Sequence, residues 1–205
     1  MKQKILTMLE MQDAMNTRVH PQWKEQDFEW YRAIWVECAE LMDHYGWKWW
    51  KKQAPDMEQV ILELIDIWHF GLSIYLSSAK ALPELVGDIE QALDLNAKTT
   101  CFKDDLETFA LSTLSSKSFD IPTFSRLMLG AGLDFDELYR QYVGKNVLNF
   151  FRQDNGYNDG SYRKIWSGKE DNEHLVEVVA ELDVGHANYR QQLYQALLQR
   201  YRASS

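Results

Sequence analysis

Apolar residues recur at helical spacing along nearly the whole chain. Ile5, Met8, Leu9, Met11 and Met15 mark a first helix that ends near Arg18, and Pro21 interrupts the pattern. A second stripe runs Tyr31, Ile34, Trp35, Cys38, Leu41, Met42, Tyr45; Asp27 can cap this helix and Gly46 is a natural stop. A third helix is predicted to reach about Ser78, with Pro55 in its first turn, where proline is tolerated. Pro83 can open another, and later stripes predict helices over 102–114, 135–151, 173–183 and 187–201. The stretch 154–168 is rich in Gly, Asn, Asp and Ser and reads as a long loop. No convincing period-2 strand, repeat or low-complexity tract interrupts the helical pattern. The expected fold is all-α, a multi-helix bundle forming a single domain over 1–205, with a mobile polar segment near 154–172.

Composition narrows what such a bundle can do. At 205 residues, 45% hydrophobic and 13% aromatic, the chain can bury a sizeable core and is too apolar to be disordered. No apolar run is expected to make a membrane span, and the start MKQKILTMLEMQD lacks the apolar core and cleavage site of a secretory signal. Two cysteines, Cys38 and Cys101, make no disulfide framework, so a reducing cytoplasm is the expected compartment. With 22 Lys+Arg against 31 Asp+Glu, the net charge of -9 argues against a nucleic-acid polymer as partner. It leaves room for a small anionic ligand held by local cations. Eight tryptophans in 205 residues are an oddity, with Trp30, Trp35, Trp47, Trp49 and Trp50 crowded together.

Acidic residues stand where the hydrophobic pattern leaves no place for them. Between Val60 and Leu76 the only acidic or basic side chains, histidine aside, are Glu63 and Asp66, on a helix apolar nearly all round and therefore buried. Three residues apart, they lie roughly 60° from one another on one face. Unpaired buried carboxylates are costly, and this helix offers no Lys or Arg to pair them. The preceding helix carries Glu37 and Glu40 at the same spacing, with 22 residues between Glu40 and Glu63. If the two helices are antiparallel neighbours, all four carboxylates converge. Four oxygen donors without clustered Cys or His suit a hard cation, Mg²⁺ or Mn²⁺. A Glu pair on a helix is more often a solvated face, and Glu37 and Glu40 alone would not escape that reading. His69 follows Asp66 at the spacing of di-iron bundles, but Asp171/His174 and Asp183/His186 share that spacing, so it carries little weight.

The cations concentrate elsewhere. In YVGKNVLNFFRQDNGY, Lys145, Asn149 and Arg152 stack along one stripe, and SYRKIWSGKEDN adds Tyr162, Arg163, Lys164, Lys169 and Asn172. In an acidic protein this suits a polyphosphate, although a generic Lys/Arg cluster is more often a solvated basic face. Gly156, Gly160 and Gly168 would let the segment move over a ligand.

Five segments taken in order resemble the dimeric all-α dUTPase family, part of the wider all-α NTP pyrophosphatase group. They are LEMQDAMN (9–16), ECAELMDHYGWKWWK (37–51), ELIDIWHF (63–70), YVGKNVLNFFRQDNGY (142–157) and YRKIWSGKEDN (162–172), a little over a quarter of the chain. The resemblance implies hydrolysis of dUTP, and of dUDP, to dUMP, which limits uracil in DNA and supplies a precursor of dTMP. It implies that Glu37, Glu40, Glu63 and Asp66 hold Mg²⁺ ions on the triphosphate, with Glu40 and Glu37 as the catalytic carboxylates and Glu40 acting on the attacking water. Gln12 and Asn16 then match polar residues around the uracil and sugar, and Trp49, His69 and Phe70 those enclosing base and deoxyribose. Lys145, Asn149, Arg152, Tyr162, Lys164 and Asn172 match phosphate-facing groups. A homodimer is implied as well. The wider group often has two adjacent glutamates at the start of the metal motif, whereas here Val36 precedes Glu37. Residues 77–138 match no motif.

Three alternatives stay open on the residues themselves. One is a pyrophosphatase of the same fold acting on dCTP or a non-standard nucleotide. Another is a di-iron carboxylate bundle, which needs two facing Glu-x-x-His elements that the chain lacks. The third is a non-catalytic helical interaction protein using its aromatic surface.

Overall fold

A computed structural model describes residues 1–99, 101–184, 186 and 188–204. Among the described residues nine α-helices follow one another: α1 Lys2–Val19, α2 Trp30–Tyr45, α3 Met57–Leu76, α4 Leu82–Ala92, α5 Phe102–Ser116, α6 Ile121–Gly130, α7 Phe135–Asp154, α8 Asp171–Glu181 and α9 Tyr189–Ala203. The two strands are a minimal antiparallel hairpin, β1 Ile165–Trp166 and β2 Lys169–Glu170. The all-α expectation therefore holds.

α3 is the axis of the bundle. It packs most extensively on α2 and also touches α1, α4 and α7. Val60, Leu64, Ile65, Ile67, Trp68 and Leu72 are all fully buried, which explains an apolar pattern that runs around the whole helix. By length and composition α3 is the one helix among the described residues apolar enough to cross a membrane, a test that a buried core helix also passes. Two thirds of that window is buried inside the protein, and it carries Glu63 and Asp66.

Local chemistry sets the helix starts, and it moves several boundaries. Asp27 does not cap α2: its backbone is left-handed, φ 49°, in a turn before the helix, and Glu29 stands at the cap position. Pro55 precedes α3 instead of opening it, because the Asp56 side chain accepts the Gln59 N–H and fixes the start there. Asp134 does the same for α7 through Glu137 N–H. α6, which periodicity did not predict, is capped by Asp120 on Thr123 N–H with Pro122 in its first turn. α5 and α7 run on to Ser116 and Asp154, and α8 begins two residues early at Asp171. The last helix, expected from 187, begins at Tyr189; position 187 is outside the described residues.

The expected 154–168 loop is the end of α7, a polar turn and the hairpin. Gly156 is obligatory there: φ is 94°, and a Cβ would lie 1.9 Å from Ser161 Oγ. Ser167 and Gly168, both at positive φ, make the hairpin's two-residue turn. The hairpin delivers Lys164 and Glu170 to the same side as the start of α8.

Candidate active site

The α2–α3 packing brings Glu37, Glu63 and Asp66 together, with one carboxylate oxygen from each within 4.8 Å of the others. Glu40, one turn beyond Glu37, lines the same cavity. Burial, then a hydrogen bond with Glu63, then the charges of Asp66, Glu63 and Glu40 push the Glu37 carboxyl up to about 9. The Glu63 carboxyl is raised as well, first by burial, so the crowded pair favours holding a proton. His44 Nε2 stands 3.5 Å from Glu63 on the other side. Three carboxylates this close repel one another, and their oxygens form a donor set that a hard divalent cation satisfies.

The cavity, about 720 Å³, continues from these carboxylates to α7, the hairpin and the start of α8. Of the phosphate-facing candidates, Lys145, Arg152, Lys164 and Asn172 line it there, while Asn149 and Tyr162 stand behind them against Arg152 and Asp171. Lys145, buried on α7, contacts Asp66 at 2.8 Å and donates to Asn172 Oδ1 at 3.2 Å. Lys164 pairs with Glu170 at 3.0 Å, both half exposed. Arg152 makes a two-pronged bond to Asp171, 2.8 Å on each arm, and also reaches Asn149 at 3.3 Å and Asn172 at 3.4 Å. Those contacts occupy four of its five N–H donors. Tyr162 donates to the same Asp171 at 2.8 Å.

Asp171 was not singled out from the sequence. It is wholly buried, and three elements converge on it: Arg152 from α7, Tyr162 from the polar turn, and its own α8. Burial alone would raise its pKa, but the Arg152 hydrogen bonds and charge hold it below the usual carboxylate range. Nothing local in the sequence distinguishes this aspartate from a solvated one at a helix start. The Arg152 guanidinium is correspondingly held in its charged form despite burial.

A second polar cluster lies inside the bundle beside α3. Gln12 Nε2 donates to Asn16 Oδ1 at 2.9 Å and Ser73 Oγ at 3.1 Å, and Asn16 Nδ2 donates to Ser73 Oγ at 2.9 Å. Gln12 Oε1 stands 2.7 Å from His69 Nδ1 and 3.0 Å from the Tyr142 hydroxyl. Burial drops the His69 pKa to about 4, so the ring is neutral. With Nδ1–H donating to Gln12, Nε2 is left as an acceptor without a partner. Gln12, Asn16 and His69, picked from distant segments, are thus one unit. Ser73 and Tyr142 belong to it and were missed; a hydroxyl one turn past His69 in an otherwise apolar helix was the available signal.

Phe70 stacks on Trp30, ring centres 6.1 Å apart. Trp49 joins neither cluster. It sits in a turn after Gly46, closed by Lys51 N–H on Lys48 O at 3.2 Å, 90% exposed and touching Trp50 edge to face at 5.5 Å. A more apolar groove of about 480 Å³ between α1, α7 and α9 contains none of these carboxylates or cations.

No curated protein matches the chain. A family model described as dUTPase matches residues 4–157, about three quarters of it. The match spans all four acidic residues and the Gln12–His69–Tyr142 cluster, while Tyr162, Lys164, Asp171 and Asn172 lie beyond its end. With an acidic cluster and several basic side chains opening on one cavity, and a match of this extent, the chain belongs to the dUTPase family and is a hydrolase of dUTP.

Proposed function

We propose that this enzyme cleaves dUTP to dUMP and pyrophosphate in a Mg²⁺-dependent reaction, with Glu37, Glu63 and Asp66 holding the cation and Glu40 acting on the attacking water. The observation that carries this reading is the shared cavity: three carboxylates within 4.8 Å at one end, and Lys145, Arg152 and Lys164 on its other walls. When bound, the cation would neutralise phosphate oxygens and acidify nearby water. Glu40, solvent-exposed on the same wall, is free to accept the water's proton. Lys145 and Lys164 answer charge that develops on the phosphates. Arg152 contributes one remaining N–H and a position fixed by Asp171. No protein nucleophile is required, and Cys38 is buried in the α2 stripe with its thiol pushed up to about 12, first by burial.

The Gln12–Asn16–His69 unit supports a nucleoside end. Its unpartnered His69 Nε2 calls for a donor, which a uracil N3–H or a deoxyribose hydroxyl supplies. Phe70 is proposed as a wall of that end. The proposal extends to dUDP, which has the same base and sugar and one phosphate fewer, to Mn²⁺ in place of Mg²⁺, and to closure of the segment around Gly156 and Gly160 over the phosphates. It also extends to a homodimer, supported by exposed Trp35, Val36, Trp47, Trp49 and Trp50 along one side of α2 and the segment after it. Trp49 reaches a base only across such an interface or by movement of its segment. Asp66→Asn should remove Mg²⁺-dependent turnover while leaving the circular dichroism spectrum and melting cooperativity of the native protein. A folded variant with full activity would remove Asp66 from the site.

A further inference from the structure

Each cation in the cavity already has a carboxylate: Lys145 with Asp66, Arg152 with Asp171, Lys164 with Glu170. The three pairs are not equivalent. Arg152–Asp171 is buried and saturated with hydrogen bonds, so it persists. Lys164–Glu170 is half exposed on both sides and readily gives way to water or ligand. Lys145–Asp66 alone joins a buried cation to a member of the acidic cluster.

Taking that cluster as the metal site of the preceding section, we propose that Lys145 stands in for the divalent cation in the metal-free protein, and that metal and nucleotide bind cooperatively because the nucleotide takes this lysine over. The Lys145 side chain is 4% exposed and its ammonium lies 2.8 Å from Asp66 Oδ2. A dication on Asp66 meets that ammonium at close range in a poorly solvated site, and like charges there repel. The lysine must then move its charge away from Asp66. Its other contact, Asn172 Oδ1 at the start of α8, is uncharged. Asp171 is already committed to Arg152 and Tyr162, and Glu63 belongs to the acidic cluster itself, so a phosphate entering the cavity offers Lys145 an anionic partner that competes with neither. Metal alone therefore binds against the lysine, and metal with nucleotide binds without that opposition. By linkage, the factor by which nucleotide tightens metal binding equals the factor by which metal tightens nucleotide binding.

Calorimetry tests this on the full chain, titrating Mg²⁺ with and without saturating α,β-imido-dUTP, in wild type and in Lys145→Met. The titrations are corrected for Mg²⁺ binding by the analogue itself. In Lys145→Met, Mg²⁺ alone should bind more tightly, in the range of about 5- to 150-fold usual for coupled sites, and the analogue should add less than it does in wild type. Unchanged or weaker Mg²⁺ binding by a folded Lys145→Met protein, with wild type binding measurably, overturns the proposal. Absence of Mg²⁺ binding by wild type in both titrations overturns the metal reading itself. Should Lys145→Met fail to fold, wild type alone suffices. The Lys145 ammonium ¹⁵N–H signal, sheltered by Asp66 and Asn172, should shift or vanish as Mg²⁺ saturates the protein, and a signal that does not change refutes the exchange.

Discussion

Replacing Asp171 by alanine should be among the most damaging single changes in the protein, although sequence pattern gives this residue no prominence. The aspartate is wholly buried and the Arg152 side chain is only 14% exposed, so neither group regains much hydration when its partner goes. Removing one member of a buried ion pair costs about 3–5 kcal/mol, because the other charge is left unpaired. For a chain of this length that corresponds to a drop in Tm of roughly 6–20 °C. The penalty belongs to the unpaired charge more than to the pair. The double variant Arg152→Met/Asp171→Ala should therefore be far more stable than the two single losses added together, with a coupling energy near the top of the roughly 0.5–3 kcal/mol range. Urea denaturation of the four proteins, with melting curves alongside, measures this. A single-variant loss below about 1 kcal/mol, or simple additivity, would refute the view of Asp171 as the fixed partner of Arg152. The pH dependence has a definite sign. Because the folded state holds the Asp171 carboxyl below its ordinary value, its contribution is present above about pH 4 and is lost as pH falls through the lowered folded value.

Other outcomes follow from the same geometry. Glu37, raised to about 9 in the folded protein, binds a proton that the unfolded chain releases near its ordinary value of 4.5, so it erodes stability as pH rises from about 5 to 9. Glu37→Gln should flatten that part of a Tm–pH profile recorded without metal, and an unchanged slope would contradict the crowded-carboxylate picture. Ser73→Ala leaves buried Gln12 and Asn16 donors without their acceptor and should cost about 1–3 kcal/mol, raising KM for dUTP more than it lowers kcat. Equal effects on both constants would place Ser73 outside the nucleoside end. Gly71→Ala would set a methyl 2.4 Å from the Phe119 ring and should destabilise by about 1–3 kcal/mol in thermal melts; a neutral variant would show that this close approach of α3 and Phe119 is not rigid.

What the sequence disclosed depended on how local each signal was. α3 announced itself, because apolar residues all round a helix leave Glu63 and Asp66 conspicuous. Their meeting with Glu37 could be anticipated from matched spacing on successive helices, since antiparallel packing converts that spacing into proximity. α6 escaped because ten residues give too few turns for a period, although Asp120 and Pro122 mark its start. Asp171 escaped for a different reason. Its burial is created by α7, the polar turn and α8 closing from three directions, and no window of adjacent residues encodes that. Trp49 shows the converse case: a residue prominent in an unusual string, GWKWWK, whose ring lies on the surface of the single chain.

The most direct measurement is pyrophosphate release from an equimolar panel of dUTP, dCTP, dTTP and UTP, with Mg²⁺ and with chelator. The account predicts rapid release from dUTP alone among the four, abolished by the chelator. Comparable turnover of dCTP or UTP, or undiminished turnover of dUTP under chelation, would contradict it.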